Sequence, residues 1–218
     1  MKDEQSNQSL MDLAYIDIKN KILNLTYPPG TALTESGLAK ELKSSRMPIR
    51  MAIRRLENEG LLIAGYRKKI RVKEVTRKDV LEIYQLRSLL EKNALKMIFD
   101  SDKTWEYSHR LEGKVVNMRA AQNDLYDWEV ADTEMHKELV SIFQNDRINR
   151  IYENNQNELI RIGLISGKSS AHIKEVNARL VEFIESIRNK KFELAMSILK
   201  EDHLDAGLEM ALDKITLE

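Results

Sequence analysis

The chain has 218 residues, enough for one large domain or two small ones. It contains no cysteine, which excludes disulfides and a thiol nucleophile. No apolar run approaches the ~20 residues of a membrane span, and the start, MKDEQSNQSLMD, lacks the apolar core of a signal peptide; the expectation is a cytoplasmic protein with no membrane partner. The 35 Lys+Arg balance 35 Asp+Glu, but unevenly. Residues 1–77 hold 15 basic against 9 acidic side chains, and the remainder has the opposite sign. The basic excess is concentrated between Lys43 and Lys73, so a neutral total conceals a bipolar chain.

Taken in order, residues 1–9 are polar. A helix is predicted over about Leu10 to Asn24, with Leu13, Ile16, Ile18, Ile22 and Leu23 on its core side, stopped by Tyr27-Pro28-Pro29-Gly30. A second helix runs over about Glu35 to Leu42, with Leu38, Ala39 and Leu42 on one face. Lys43 and Ser44 lie in a turn, Ser45 is placed as an N-cap, and Pro48 falls in the first turn of a third helix, where its missing N–H is tolerated. That helix reaches about Asn58. Ile49, Ala52, Ile53 and Leu56 repeat at helical spacing and face inward, while Arg46, just before the helix, and Arg50, Arg54 and Arg55 take other positions; Gly60 closes it. Two helices across a tight turn, with arginines at the exposed N-terminal end of the second, form a helix-turn-helix whose second helix would enter the DNA major groove. Leu61–Ala64 and Ile70–Val72 then flank a basic tip that includes Arg67, Lys68 and Lys69, which reads as the hairpin wing of a winged helix.

These residues resemble the GntR family of bacterial transcription regulators. The resemblance rests on Tyr27–Gly30, Leu33-Thr34-Glu35 with Leu38-Ala39, and the run from Ser45 to Leu61. It implies DNA contacts from Arg46 and Arg50 and from the wing tip, Arg67, Lys68 and Lys69; Ser45, Met47, Pro48 and Arg54 join them as candidate DNA-binding residues at the same face. The chain departs from the family pattern at Ser36, often Arg, and at Lys69, usually Gly.

Lys73–Asp79 is a charged connector, with Thr76 placed to cap the next helix. The domains are therefore set at 10–75 and 78–218. Beyond the connector no strand pattern occurs. Helical runs over about 78–99, 102–122, 125–144, 146–166, 169–189 and 191–215 require a six-helix bundle to bury their stripes. Val80, Ile83, Tyr84, Leu86, Leu90, Ala94 and Ile98 make one stripe; Leu180, Phe183, Ile184 and Ile187 make another. The fold class is mainly α: an N-terminal winged helix-turn-helix and a C-terminal all-α six-helix bundle.

The second half resembles the effector domain of the FadR branch, known as FCD, in Leu86-Arg87, Leu90-Glu91 and Asp132 with His136 and Asn145. Six helices rather than seven are similar to the shorter VanR-like sub-branch. Asp132 and His136 lie one helical turn apart, a spacing that suits either a hydrogen-bonded pair or two ligands of one zinc, nickel or manganese ion. The resemblance implies two completing histidines. The first position falls on Leu180, which leaves the set incomplete; the second falls on Asp202 or His203. His172, eight residues before Leu180, is not counted among the ligands. Arg87 and Glu91 are either an exposed ion pair or, as the resemblance implies, an Arg pointing into the bundle toward an anionic effector. Trp105, Trp128 and Tyr126 read as core or dimer packing.

The resulting expectation is a homodimeric regulator, a repressor by analogy with relatives. It would bind a pseudo-palindromic DNA operator and respond to a small carboxylate effector at Arg87, Asp132 and His136. Two other readings are a helical metal-dependent enzyme built on Asp132 and His136, and an architectural DNA-binding protein whose helical half only dimerises.

Overall fold

The computed structural model describes residues 9–64 and 70–215. The chain divides into two compact units, Met1–Glu74 and Val75–Glu218.

In the first unit, α1 (Leu10–Leu23) is capped by the Ser9 hydroxyl, which accepts from the Asp12 N–H. It buries Ala14, Tyr15, Ile18, Ile22 and Leu23. Leu13 and Ile16, expected on the core side, are instead 49% and 39% exposed. The spacing explains this: Ala14, Ile18 and Ile22 recur every four residues, and Leu13 and Ile16 fall to either side of that row. Strand β1 (Ala32–Leu33) leads into α2 (Glu35–Glu41), capped by the Thr34 hydroxyl, and α3 (Arg46–Asn58) follows. Ile49, Ala52, Ile53 and Leu56 are buried as expected. Leu38 is buried, while Ala39 and Leu42 are only half-buried. Gly60, at φ +70°, turns the chain out of the helix in a conformation that disfavours a Cβ.

Strands β2 (Leu62–Ala64) and β3 (Ile70–Val72) pair antiparallel, Leu62 opposite Val72 and Ala64 opposite Ile70. β1 adds to the other edge of β3, giving the order β1-β3-β2. This is the expected wing hairpin, its tip residues Arg67, Lys68 and Lys69 lying outside the described residues. Polar ties hold α1 to α3: Tyr15 Oη donates to Glu59 Oε1 at 2.7 Å, Lys19 Nζ donates to Glu59 Oε2 at 2.9 Å, and the Arg55 guanidinium lies 3.7 Å from the Tyr15 ring centre. Arg55 is thereby used inside the unit.

The second unit is all helix among its described residues: α4 (Arg77–Asp100), α5 (Thr104–Ala120), α6 (Leu125–Val140), α7 (Asp146–Ser166), α8 (Ser170–Arg188), then α9 (Phe192–Ser197) and α10 (Ala206–Lys214). A π-helical stretch, Ile198–Asp205, joins α9 to α10. Six helical runs were expected, and the sixth is this last rod with its π insertion. Thr76 caps α4 in a reciprocal box: its hydroxyl accepts from the Asp79 N–H at 3.1 Å, and the Asp79 carboxylate accepts from the Thr76 N–H at 2.9 Å. Thr76→Ala is expected to cost about 1 kcal/mol of stability, read as a lowered denaturant midpoint.

The larger core is built on α5, α6 and α8, from Leu111, Trp128, Leu139, Leu180, Phe183 and Ile187 among others. Trp128 is therefore core packing, whereas Trp105 is 63% exposed and lies outside this core. On α4, Leu86 and Leu90 are only half-buried. The centre of the buried stripe between Tyr84 and Ala94 is occupied instead by Arg87 and Glu91.

Candidate functional site

Glu91 is completely buried, and three helices converge on it. Its Oε1 accepts from Arg87 Nε at 2.7 Å, one turn back on α4, and from Tyr152 Oη of α7 at 3.1 Å. Its Oε2 lies 2.7 Å from His136 Nδ1 of α6, although off the N–H direction. The exposed-pair reading of Arg87 and Glu91 is thus replaced by a buried network. Burial alone would raise the Glu91 pKa, but the Arg87 and His136 charges overrule it and bring it to about 2. Arg87 is likewise disfavoured by burial and then driven well above its usual value, Glu91 being the main cause.

The Nδ1 contact turns the other ring nitrogen of His136 toward Asp132, whose Oδ1 is 3.6 Å from Nε2. Asp132 and His136 leave the same face of α6, as their spacing requires. The third member is His203, carried inward on the π-helical stretch; its ring meets the His136 ring edge-on at 5.7 Å. A π insertion adds one residue to a turn and re-aims the side chains around it. Ligand atoms of Asp132, His136 and His203 all lie within 4.8 Å of one another. The choice between Asp202 and His203 falls on His203: the Asp202 carboxylate accepts from Arg179 Nε at 2.9 Å and Nη2 at 2.6 Å. Leu180 is buried in the larger core. The α8 residues that line the cavity are His172 and Val176, so α8 approaches the site one to two turns before the expected position.

These residues fit a metal ion. Two ligand atoms about 2.0–2.2 Å from a tetrahedral ion stand roughly 3.4 Å apart, close to the 3.6 Å between His136 Nε2 and Asp132 Oδ1. That distance is long for a hydrogen bond. His203 Nε2 is buried and, among the described residues, has no hydrogen-bond partner. Burial, then the neighbouring His136 charge, lowers the His203 pKa to about 4, which leaves the neutral imidazole that a metal requires. Burial works to raise the Asp132 pKa, but His136, Lys168 and Arg87 hold it far below the usual range. Glu91 stands 2.7 Å from Nδ1, on the side of His136 from which a carboxylate can orient a metal-bound imidazole once the ring N–H is aligned to it.

A second buried pair borders the same cavity. Lys168, in the turn between α7 and α8, places Nζ 2.5 Å from Glu129 Oε1 and 5.1 Å from the Trp128 ring centre. Burial pushes the Glu129 pKa up to about 7, against the pull of Lys168. Tyr84, Thr133, Gly163 and Leu159 complete this wall. Glu129, Lys168 and Tyr152 were not singled out from sequence. Glu129 was within reach of the pattern, one turn before Asp132 and Thr133 on the same face of α6; Lys168, in a loop, had no periodic signal. A Cβ at residue 163 would come within 2.0 Å of Glu129 Oε2. Gly163→Ala would normally favour a helix by ~1 kcal/mol. Here overpacking should reverse the sign, giving a net loss on the order of 1 kcal/mol in chemical unfolding. The space left within the cluster consists of two voids of about 20 and 30 Å³, each enough for a water molecule or a bare cation.

In the first unit, the candidate DNA-contact residues before the wing lie at the start and along the outside of α3. Arg46, Arg50 and Arg54 are exposed on α3, Met47 is 61% exposed, and Pro48 is half-buried. Ser45 is the N-cap residue but makes no side-chain capping bond.

Residues 11–72 match bacterial regulatory proteins of the gntR family, and residues 82–206 match the FCD domain. The chain belongs to the gntR family of regulators. Within the family, it is 32% identical over 184 residues to the uncharacterized HTH-type transcriptional regulator YdhC of Bacillus subtilis (strain 168), covering 83% of this chain and 82% of that one. A GntR transcriptional regulator from Rhodococcus sp. RHA1 superposes with a TM-score of 0.73 at 20% identity, over 96% of this chain and 100% of that one. E. coli McbR/YncC gives 0.69 at 18% identity, over 95% and 99%. The two solved structures establish the fold. The protein is a DNA-binding transcription regulator of the GntR/FCD type, and among its described residues no helix is long and apolar enough to cross a membrane.

Proposed function

We propose that this regulator binds a pseudo-palindromic operator as a homodimer and that its helical unit carries a divalent metal ion, zinc, nickel or manganese, which helps to hold a small carboxylate effector. The reading rests on one observation: Asp132, His136 and His203 converge within 4.8 Å, with Glu91 bracing His136 from behind. When bound, the ion would act as a Lewis acid with coordination positions left for a carboxylate oxygen or water. Asp132, His136 and His203 would hold it. Arg87 and Lys168 would supply positive charge to the same cavity.

Charge balance supports an anionic ligand. Around the cavity stand Glu91, Asp132 and Glu129 against Arg87, Lys168 and His136. A dication held by a neutral His136 leaves at least one positive charge over, and more where Glu129, with its pKa raised to about 7, carries a proton; a carboxylate offsets that excess. The voids are too small for a metabolite, so entry would require the walls to part; the Lys168 turn, between α7 and α8, is the non-helical segment among them. Effector binding would then alter operator affinity by a coupling of typically ~1–3 kcal/mol. The repressor reading follows the family resemblance.

The test is a screen in which chelator-treated and metal-loaded protein is titrated with small carboxylates, with anisotropy of a DNA duplex as the readout. A carboxylate that changes DNA affinity only in the loaded protein is the expected result. Identical responses with and without metal would remove the ion from the mechanism. No response to any carboxylate would remove the acidic effector.

A further inference from the structure

Arg50 and Glu35 face each other across the helix-turn-helix. Arg50 Nε donates to Glu35 Oε1 and Arg50 Nη2 donates to Glu35 Oε2, both at 3.0 Å. Glu35 opens α2, where the positive end of the helix favours a carboxylate. Arg50 lies in the second turn of α3. Their side chains are 33% and 47% exposed. Among the described residues, Arg46 and Arg54 on the same helix make no ion pair.

The fork is a side-on one. A guanidinium has five N–H donors fixed in one plane. Glu35 takes Nε–H and one Nη2–H. The other Nη2–H and the Nη1–H on the parallel end-on edge remain, pointing away from the carboxylate. Two parallel donors match the O6 and N7 acceptors of guanine; adenine presents an acceptor beside a donor and does not. We infer that Glu35 is a specificity-determining positioning residue, holding Arg50 side-on so that its end-on edge is presented to a guanine.

Two arguments favour this over a phosphate contact. A free arginine must be ordered when it binds, and a partner that has already fixed its plane removes that cost. The paired carboxylate also cancels most of the Arg50 charge, which weakens attraction to phosphate while leaving the donor geometry intact. Arg50 then contributes sequence choice, and Arg46 and Arg54 contribute general affinity. The inference rests on α3 being the recognition helix.

The experiment uses the full chain and a duplex selected by the wild-type protein from a random-sequence pool, with a scrambled duplex beside it. Glu35→Gln is expected to weaken binding to the selected duplex by about tenfold, to leave binding to the scrambled duplex unlowered or somewhat tighter as Arg50 regains its charge, and to leave the melting temperature unchanged. Replacing the guanine read by Arg50 with 7-deazaguanine, which lacks N7, should weaken the wild type and have little further effect on Glu35→Gln. Equal or tighter binding of the selected duplex by Glu35→Gln would overturn the inference, since Glu35 would then be a bystander or a competitor of DNA. Equal loss on both duplexes would overturn it too, in favour of a plain staple between α2 and α3. Arg50→Ala with unchanged affinity for the selected duplex would instead refute the assignment of the recognition helix.

Discussion

Zinc or nickel added to chelator-stripped protein is expected to raise the melting temperature of the helical unit, and His136→Ala is expected to abolish the rise. A ligand that binds only the folded state stabilises it by about 2.7 kcal/mol when its free concentration is a hundred times Kd. For a unit of this size, that corresponds to roughly 5–10 °C. The folded state offers Asp132, His136 and His203 together, on α6 and the π-helical stretch, 67 residues apart between the last two; an unfolded chain has no such cluster. His136→Ala should also melt earlier than wild type in the presence of chelator. It removes the ring that faces both Glu91 and Asp132; Glu91 keeps Arg87 and Tyr152, so the loss should fall below the about 3–5 kcal/mol of a buried charge stripped of every partner. His203→Ala separates the two effects: it removes a neutral ring, so it should lose the metal response with a smaller basal penalty. Superimposable melts of the wild type in chelator and in metal would eliminate the metal centre, whatever the mutants do.

Arg50→Ala should lose about 1–3 kcal/mol of binding to the preferred duplex, a factor of roughly ten to a hundred or more, with the fold intact. The side chain is half exposed and its ion pair with Glu35 is at the surface, where such pairs contribute little to stability. The loss should therefore appear in anisotropy and not in thermal unfolding. Because Arg50 is already neutralised by Glu35, its removal should change the salt dependence less than removal of Arg46 does. An Arg50→Ala protein with wild-type discrimination between selected and scrambled duplexes would show that another element reads the sequence.

The winged helix was legible because each of its parts is specified locally. Thr34 and Ser45 mark helix starts, Gly60 a helix end, and Ile49, Ala52, Ile53 and Leu56 one inward face. The misreading of Leu13 and Ile16 has a local limit as well: several adjacent apolar residues around α1 allow more than one face to be drawn, and only the partner α3 selects the row through Ala14, Ile18 and Ile22. Asp132 and His136 were found because one turn of one helix places them together. Glu129 shares that face by the same periodicity, but the cation that pairs with it, Lys168, comes from a distant turn that no periodicity marks.

By itself the sequence determined the helices, their caps, the wing strands and the i, i+4 pairs, since all of these depend on neighbours a few residues away. Only the tertiary structure decided which distant residues meet. It put Tyr152 and His136 on opposite oxygens of Glu91, chose His203 over Asp202, and set Lys168 against Glu129. It also brought His172 and Val176, rather than Leu180, to the cavity. Those choices depend on how helices far apart in the chain rotate and slide against one another, and on a π insertion that shifts the face of the last helix. A repeat of 3.6 residues fixes a side chain's angle within its own helix and carries no information on what that face will meet.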